Sequence, residues 1–314
     1  MSEFFTLAVL ATTLASGIRL ATPFLLAALG ETIGQRSGVL NLGVEGVMLL
    51  GAYGAYYAAL NTESDSTAWV VGVAAGIGIG IVMGLVYAFL TVVMHADQGI
   101  SGIGIFLFGL GFTDLLFQKQ VGVPIPIRGV SKAPIPVLSD IPYIGQIFFD
   151  HNPLVYTAFA LVPIMWFVVN KTTFGLNVRA VGETPEAADT LGVSVNGVRT
   201  TTIVIANAFA GLAGAALALE IGIFQNNLTS GQGFIAIALV YFGAWRMPWV
   251  MSGAVLFGVV SATVVQWKTL GIVSGGASSL TAMAPALLTI VVLVIVSRRI
   301  GAPSALTRHF DRAG

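Results

Sequence analysis

Ala68-Trp69-Val70-Val71-Gly72-Val73-Ala74-Ala75-Gly76-Ile77-Gly78-Ile79-Gly80-Ile81-Val82-Met83-Gly84-Leu85-Val86-Tyr87-Ala88-Phe89-Leu90-Thr91-Val92-Val93-Met94 is a run of 27 residues without a single charge. A helix needs about 20 mostly apolar residues to cross the hydrocarbon of a bilayer. Comparable runs cover 7–29, 43–60, 100–118, 152–170, 201–220, 249–267 and 280–297, and a shorter one, 233–243, reads as a half-length or tilted span. Composition agrees: of 314 residues 56% are hydrophobic and 9% charged, with a mean hydropathy of +0.91. Soluble domains carry about a quarter charged residues, so a water-soluble enzyme is excluded. The expected fold is all-α, a polytopic membrane helix bundle of about nine transmembrane helices forming one domain over residues 1–314. Fourteen bases balance fourteen acids, which gives no net field toward nucleic acid. Cysteine is absent, and His95, His151 and His309 lie far apart, so neither disulfides nor a metal site are expected. Met1-Ser2-Glu3 lacks the basic flank of a secretory signal, so the first apolar run is expected to be retained.

Basic residues orient the spans because they collect on the cytoplasmic side. With residues beyond the last span inside, the inner segments hold Arg36, Lys171, Arg179, Arg199, Arg246, Arg298, Arg299, Arg308 and Arg312. The outer segments then hold only Lys119, Arg128, Lys132 and Lys268, while Arg19 falls within the first span. This nine-to-four division predicts the N-terminus out and the C-terminus in. The outer loop 61–67, with Glu63 and Asp65 and no base, fits the same orientation.

Two connections are too long to be turns. The outer segment 119–151 is punctuated by Pro124, Pro126, Pro134, Pro136 and Pro142, which favours extended, semi-rigid backbone. It either docks an extracellular or periplasmic partner or serves as a lid on the bundle. The inner segment 171–200 is the most polar long stretch. There Thr184 is placed to cap a short helix that Pro185 opens, with Glu183 and Glu186 near its positive end. Ala187 and Ala188 are small enough to enter a cleft on a partner, and Gly192 lets the chain turn back to the membrane. A short helix lying along the inner surface is a natural contact for a soluble protein; the alternative is a solvated connector. A weak internal echo points to an inverted repeat. Gly43-Val44-Glu45-Gly46 opens an apolar run closed by Gly51-Ala52, and Gly231-Gln232-Gly233 opens one closed by Gly243-Ala244, in the opposite direction. Interrupted helices at matching positions of two repeats point to the substrate site of a transporter.

Polar groups within spans are costly and therefore informative. Glu45 follows Asn41 by four residues, which predicts both on one helical face with Met48 and Ala52. Asn207 shares a face with Gly211, Gly214 and Ala218. These side chains either line a polar pathway or staple helices through hydrogen bonds. Phe106 and Phe108, in a glycine-rich stretch, either line a pore and stack on a ring or pack the bundle. Gln232 and Phe234, at the head of the half-length span, complete the pathway candidates. Gly72, Gly76, Gly80 and Gly84 recur every fourth residue, a spacing that brings another helix close.

No phosphate-binding Gly-x-x-x-x-Gly-Lys-Ser/Thr loop exists, since none of the four lysines follows a glycine. The chain is therefore expected to bind no ATP. Ala28-Leu29-Gly30-Glu31 and Arg36-Ser37-Gly38-Val39-Leu40-Asn41-Leu42-Gly43-Val44-Glu45-Gly46-Val47-Met48 resemble the signature of permeases from nucleoside-type ABC importers. These belong to the wider group that serves branched-chain amino acids and sugars such as ribose. Gly175-Leu176-Asn177-Val178-Arg179-Ala180-Val181-Gly182-Glu183, then Ala187-Ala188 and Gly192-Val193, resemble the group's coupling loop, which adds Arg179 and Gly182 to the coupling candidates. Gly231-Gln232-Gly233-Phe234-Ile235-Ala236, Pro285-Ala286-Leu287-Leu288-Thr289 and Pro303-Ser304-Ala305-Leu306 match as well.

The resemblance implies a permease subunit in a bacterial or archaeal plasma membrane, without an ATP site of its own and with no cofactor. It implies a heterodimer with a second, related permease. A cytoplasmic ATPase with two nucleotide sites would use the ATP and Mg, and a binding protein or lipoprotein would deliver substrate from outside. Nucleosides are the expected cargo, with branched-chain amino acids or simple sugars as the alternative. From a different class, an ion-coupled secondary transporter would need a buried ion-binding group, for which Glu45 is the one good candidate. A non-transporting scaffold leaves the inner segment and the interrupted helices unexplained.

Overall fold

The computed structural model describes residues 6–271, 281, 283–296 and 301–311. Among these residues there are helices, turns and extended connections, but no strand. The helices are α1 (Leu7–Arg36), α2 (Val44–Leu60), α3 (Asp65–Ala88), α4 (Gln98–Gln120), α5 (Ile144–Phe148), α6 (Pro153–Lys171), α7 (Thr173–Glu183), α8 (Pro185–Thr190), α9 (Val195–Ile221), α10 (Gln232–Phe242), α11 (Met247–Thr269) and α12 (Ala284–Val296). Six of them are long and apolar enough to cross a membrane: α1, α3 with the π turn Phe89–Val93 that prolongs it, α4, α6, α9 and α11. At about 1.5 Å per residue, α2 and α10 fall short of a 30 Å hydrocarbon layer. Arg298, Arg299, Arg312 and part of the 280–297 run lie outside the described residues.

Helix α9 is the hub, packed by α1, α2 and α3. Its sequence explains why: Ala206, Asn207, Ala210, Gly211, Ala213, Gly214, Ala215 and Ala216 are all buried, so three helices can approach its backbone. The glycine stripe of α3 faces this hub. A Cβ on Gly76 would lie 2.7 Å from the Ala215 Cβ, one on Gly84 2.9 Å from the Val204 Cα, and one on Gly80 3.0 Å from the Ala208 Cα. Gly72 instead abuts the Ala55 carbonyl of α2, at 2.8 Å from an added Cβ. The opposite face of α3 exposes Val70, Val71, Val82, Leu85 and Val86, a surface suited to lipid or to another membrane helix.

Segment 119–151 folds over one end of the bundle, without regular structure over 124–135 and in turns beyond. The Tyr53 hydroxyl donates to Gln120 Oε1 (2.6 Å), the Tyr56 hydroxyl to the Ile125 carbonyl (2.9 Å), and the Ile127 N–H to the Gly222 carbonyl (2.8 Å). After the last proline it forms the short helix α5, which the proline pattern did not foretell.

Segment 171–200 departs further from the expectation of one short helix. Two helices, α7 and α8, occupy it, and α9 already begins at Val195. Thr172 caps α7, accepting from the Gly175 N–H at 3.1 Å, and Ser194 caps α9, accepting from the Gly197 N–H at 3.3 Å. Thr184 stands at the N-cap of α8 but its side chain makes no capping bond; Pro185 opens that helix as expected. Gly192 takes φ +85°, the left-handed turn that glycine adopts without strain.

Candidate functional site

The heads of α2 and α10 meet. Helix α10 starts after Gly231, which takes φ +87°, and Gly233 lies so close to α2 that an added Cβ would be 2.6 Å from both the Glu45 N and Cα. Glu45, 1% exposed, lies between the two helix heads. Its Oε1 accepts the Thr229 hydroxyl (2.6 Å) and the Gly231 N–H (2.7 Å), and its Oε2 accepts the Gly233 N–H (2.6 Å). A helix start leaves N–H groups unpaired and carries the positive end of the dipole, so a carboxylate is a fitting partner there. Of the two roles open to Glu45, these bonds are those of a staple between α2 and α10.

Asn41 and Glu45 do not share a helical face. The turn after α1 runs through Gly38 at φ +91°, and Asn41 Oδ1 accepts the Gly43 N–H (2.8 Å), so α2 begins only at Val44. A side chain that bonds its own backbone two residues on favours a turn over a helix. Asn41 instead donates to Asn207 Oδ1 (3.1 Å), while Asn207 donates to the Ile203 carbonyl (2.8 Å). The pair ties the α1–α2 connection to α9. Met48 is fully buried, with its carbonyl against Gly214 of α9.

Phe106 of α4 reaches Phe234 of α10 edge to face, ring centroids 5.3 Å apart. Phe106 follows Ile105, whose carbonyl abuts Gly46, so the pair sits beside the junction stapled by Glu45. Gln232, two residues before Phe234, keeps its Oε1 buried without a protein donor. Phe108 is not part of this cluster; it is exposed and stacks on Phe112 at 5.1 Å. The pair thus offers aromatic edges and faces, while Gln232 points to another side of α10.

At the other candidate region, Arg179 and Glu183 of α7 line an open cleft of about 350 Å³ with Arg36 and Trp245. Arg36 donates from Nε to the Trp245 carbonyl at 2.9 Å. Gly182 backs onto the Arg36 carbonyl, and Glu186 and Ala187 are exposed. Ala188 is not available to a partner: it is 2% exposed and packs with Val181, Val195 and Phe310. A helical step of about 100° carries the chain from the exposed Ala187 to Ala188 on the buried side of α8.

Sequence reasoning missed Thr229, which carries no pattern beyond its place before a glycine turn. It also missed Gln98, whose Oε1 accepts the Leu40 N–H at 2.9 Å. A further buried chain, unforeseen, runs from Glu31 Oε2, accepting from Gln35 (3.1 Å), to Gln35 Oε1, accepting from the Trp245 indole (3.0 Å). Glutamate four residues before glutamine within an apolar helix was the available signal.

Residues 13–296 match the family described as the branched-chain amino acid transport system, permease component. NupQ of Bacillus subtilis, a guanosine ABC transporter permease protein, is 36% identical over 91% of this chain and 92% of its own. NupC of Lactococcus lactis, a nucleoside ABC transporter permease protein, is 32% identical over the same shares, 91% and 92%. TsgC13 of Haloferax volcanii, named for a glucose ABC transporter, is 36% identical over 94% of this chain and 96% of its own. An inward-facing structure of a metal-chelate type ABC transporter shares the fold, with a TM-score of 0.52 at 13% identity, covering 91% of this chain and 86% of that one. The all-helical bundle, in which α2 and α10 are short, is a membrane permease, and the chain belongs to the branched-chain amino acid transport system permease family. It is a multi-pass transporter subunit, and ATP hydrolysis belongs to a partner rather than to this chain.

Proposed function

We propose that this permease moves nucleosides inward across a bacterial or archaeal plasma membrane. The observation that carries this reading is the similarity to NupQ and NupC along 91% of the chain. The site is chemically consistent with it. A nucleobase presents a π face, and the Phe106–Phe234 pair offers its complement. A second reading, sugar import, rests on TsgC13, which is 36% identical.

In this reading the subunit pairs with a second, related permease and receives substrate from a binding protein on the outer face, where segment 119–151 forms part of the docking surface. A cytoplasmic ATPase with two nucleotide sites consumes ATP and Mg and engages α7–α8, with Arg179, Glu183, Glu186 and Ala187 at the contact. Nine crossings, an inverted repeat relating the α2 and α10 regions, and an inner position for residues beyond α12 complete the proposal. The meeting of two interrupted helix heads at Glu45 and the nine-to-four division of bases support it.

The test is competition. Uptake of labelled guanosine by the assembled transporter should be blocked by excess unlabelled nucleosides and left unchanged by glucose or leucine. Block by glucose together with labelled glucose uptake would move the assignment to sugars.

A further inference from the structure

Residues 301–311 lie across the end of the bundle that carries α7 and α8 and touch four separate parts of it. The Ala305 N–H donates to the Gly182 carbonyl (2.9 Å) and the Ser304 hydroxyl to Glu183 Oε2 (2.9 Å), which fastens the segment to the end of α7. Thr307 donates from its backbone to the Gly38 carbonyl (3.0 Å), in the connection between α1 and α2. Arg199, 3% exposed at the start of α9, donates to the Arg308 carbonyl (2.8 Å) and the Ser37 carbonyl (3.3 Å). Asp311 accepts from His95 Nδ1 (2.8 Å), beyond the end of α3. A buried guanidinium is costly unless its donors are paired; the Arg308 and Ser37 carbonyls pair Nη1 and Nε of Arg199, while its Nη2 stays buried without a hydrogen-bond partner. Phe310 closes the arrangement, 8% exposed in a small apolar cluster with Val181 of α7, Ala188 of α8 and Val195 of α9.

This cluster is separate from the main core, and Phe310 is its one large side chain. Helix α8 has six residues, too few to be stable in isolation, so its position depends on packing. Its buried face is the Ala188 side, and that side rests on Phe310. Since the bonds of 304–308 fix Phe310 relative to α1, α7 and α9, the segment gives α8 a route to the membrane helices besides its own packing on α7 and α9. We infer that residues 301–311 form a strap that couples α7–α8 to the membrane helices, with Phe310 as the positioning residue for α8.

This inference rests on the reading of α7–α8 as the ATPase contact, and the experiment separates the two. In the assembled, reconstituted transporter, co-purification of the ATPase and the ATP hydrolysed per substrate imported are measured for wild type, Phe310→Ala and Phe310→Leu. Phe310→Ala should retain the ATPase while raising ATP consumed per substrate by about five-fold, within the range that coupling mutations span. Phe310→Leu, which refills the cluster, should stay near the wild-type ratio. A wild-type ratio in Phe310→Ala overturns the strap; a wild-type protein that imports without any hydrolysis overturns the ATPase reading instead. Should Phe310→Ala not assemble, the cysteine-free chain allows the pair Ala188→Cys with Phe310→Cys. A strap that travels with α8 lets that pair oxidise with import kept above roughly half of the reduced level. Failure to cross-link, or arrest on oxidation with recovery on reduction, overturns the inference.

Discussion

Glu45 offers two oxygens to three donors, which an amide cannot do. Glutamine would turn one oxygen into an N–H₂ facing the N–H of Gly231 or Gly233, and either orientation leaves a buried donor unpaired. An unsatisfied buried donor costs about 1–3 kcal/mol. Glu45→Gln should therefore lower both the melting temperature and the uptake rate, while Thr229→Val, which removes one donor and keeps the shape, should cost less. Equal melting temperatures for wild type and Glu45→Gln in a detergent melt would contradict the staple. His151, outside the spanning helices and 1% exposed, has a second prediction attached. Burial, partly opposed by its Nε2–H donating to the Ile147 carbonyl (2.7 Å), pushes the imidazole below its ordinary 6.5. As pH falls through 6.5 the unfolded chain takes up the proton before the folded one, so stability is complete above that pH and declines below it. Melts at pH values either side of this window should show His151→Gln with a shallower acid slope than wild type; identical slopes would refute the assignment.

Element geometry is where the sequence was most and least readable. The four-residue spacing of Gly72, Gly76, Gly80 and Gly84 reveals a close helix contact because one face must lack side chains for backbones to meet. It yields a paired prediction. Gly76→Ala places a methyl 2.7 Å from the Ala215 Cβ and should destabilise, whereas Gly78 has nothing within 4 Å. Gly78→Ala should be neutral or gain up to about 1 kcal/mol from reduced backbone freedom. A thermal-shift series that ranks the two in the opposite order would show the wrong face of α3 against α9. The head of α10 was also legible, because a glycine-flanked apolar run too short to cross declares an interruption. Asn41 was misplaced since a four-residue spacing says nothing about whether a helix has begun; its own side chain, bonded to the Gly43 N–H, delays α2. Helix α7 was hidden within a polar stretch because its cap, Thr172, lies at the end of the preceding span. The strap was invisible, since its bonds join residues far apart in sequence and three of them use a backbone N–H or carbonyl of the strap itself.

At the scale of the whole molecule, orientation comes first. Ser64 and Arg308 are both exposed, so single cysteines at these positions can report sidedness in a chain with none of its own. In intact cells an impermeant thiol reagent should label position 64 and leave 308 unlabelled until the membrane is opened; the reverse pattern would invert the proposed topology. Composition and the run of apolar segments made the membrane class legible, because a chain with 9% charge cannot cover itself for water. The substrate was not legible in the same way: an aromatic pair suits several flat or ring-shaped solutes. The central claim is that this permease is driven by ATP through a partner. Its most direct test is nucleoside uptake into proteoliposomes holding the assembled transporter and its binding protein. Hydrolysable ATP, a non-hydrolysable analogue, or an imposed proton or sodium gradient would be supplied in turn. The account predicts accumulation with hydrolysable ATP alone; accumulation driven by an ion gradient without ATP would contradict it.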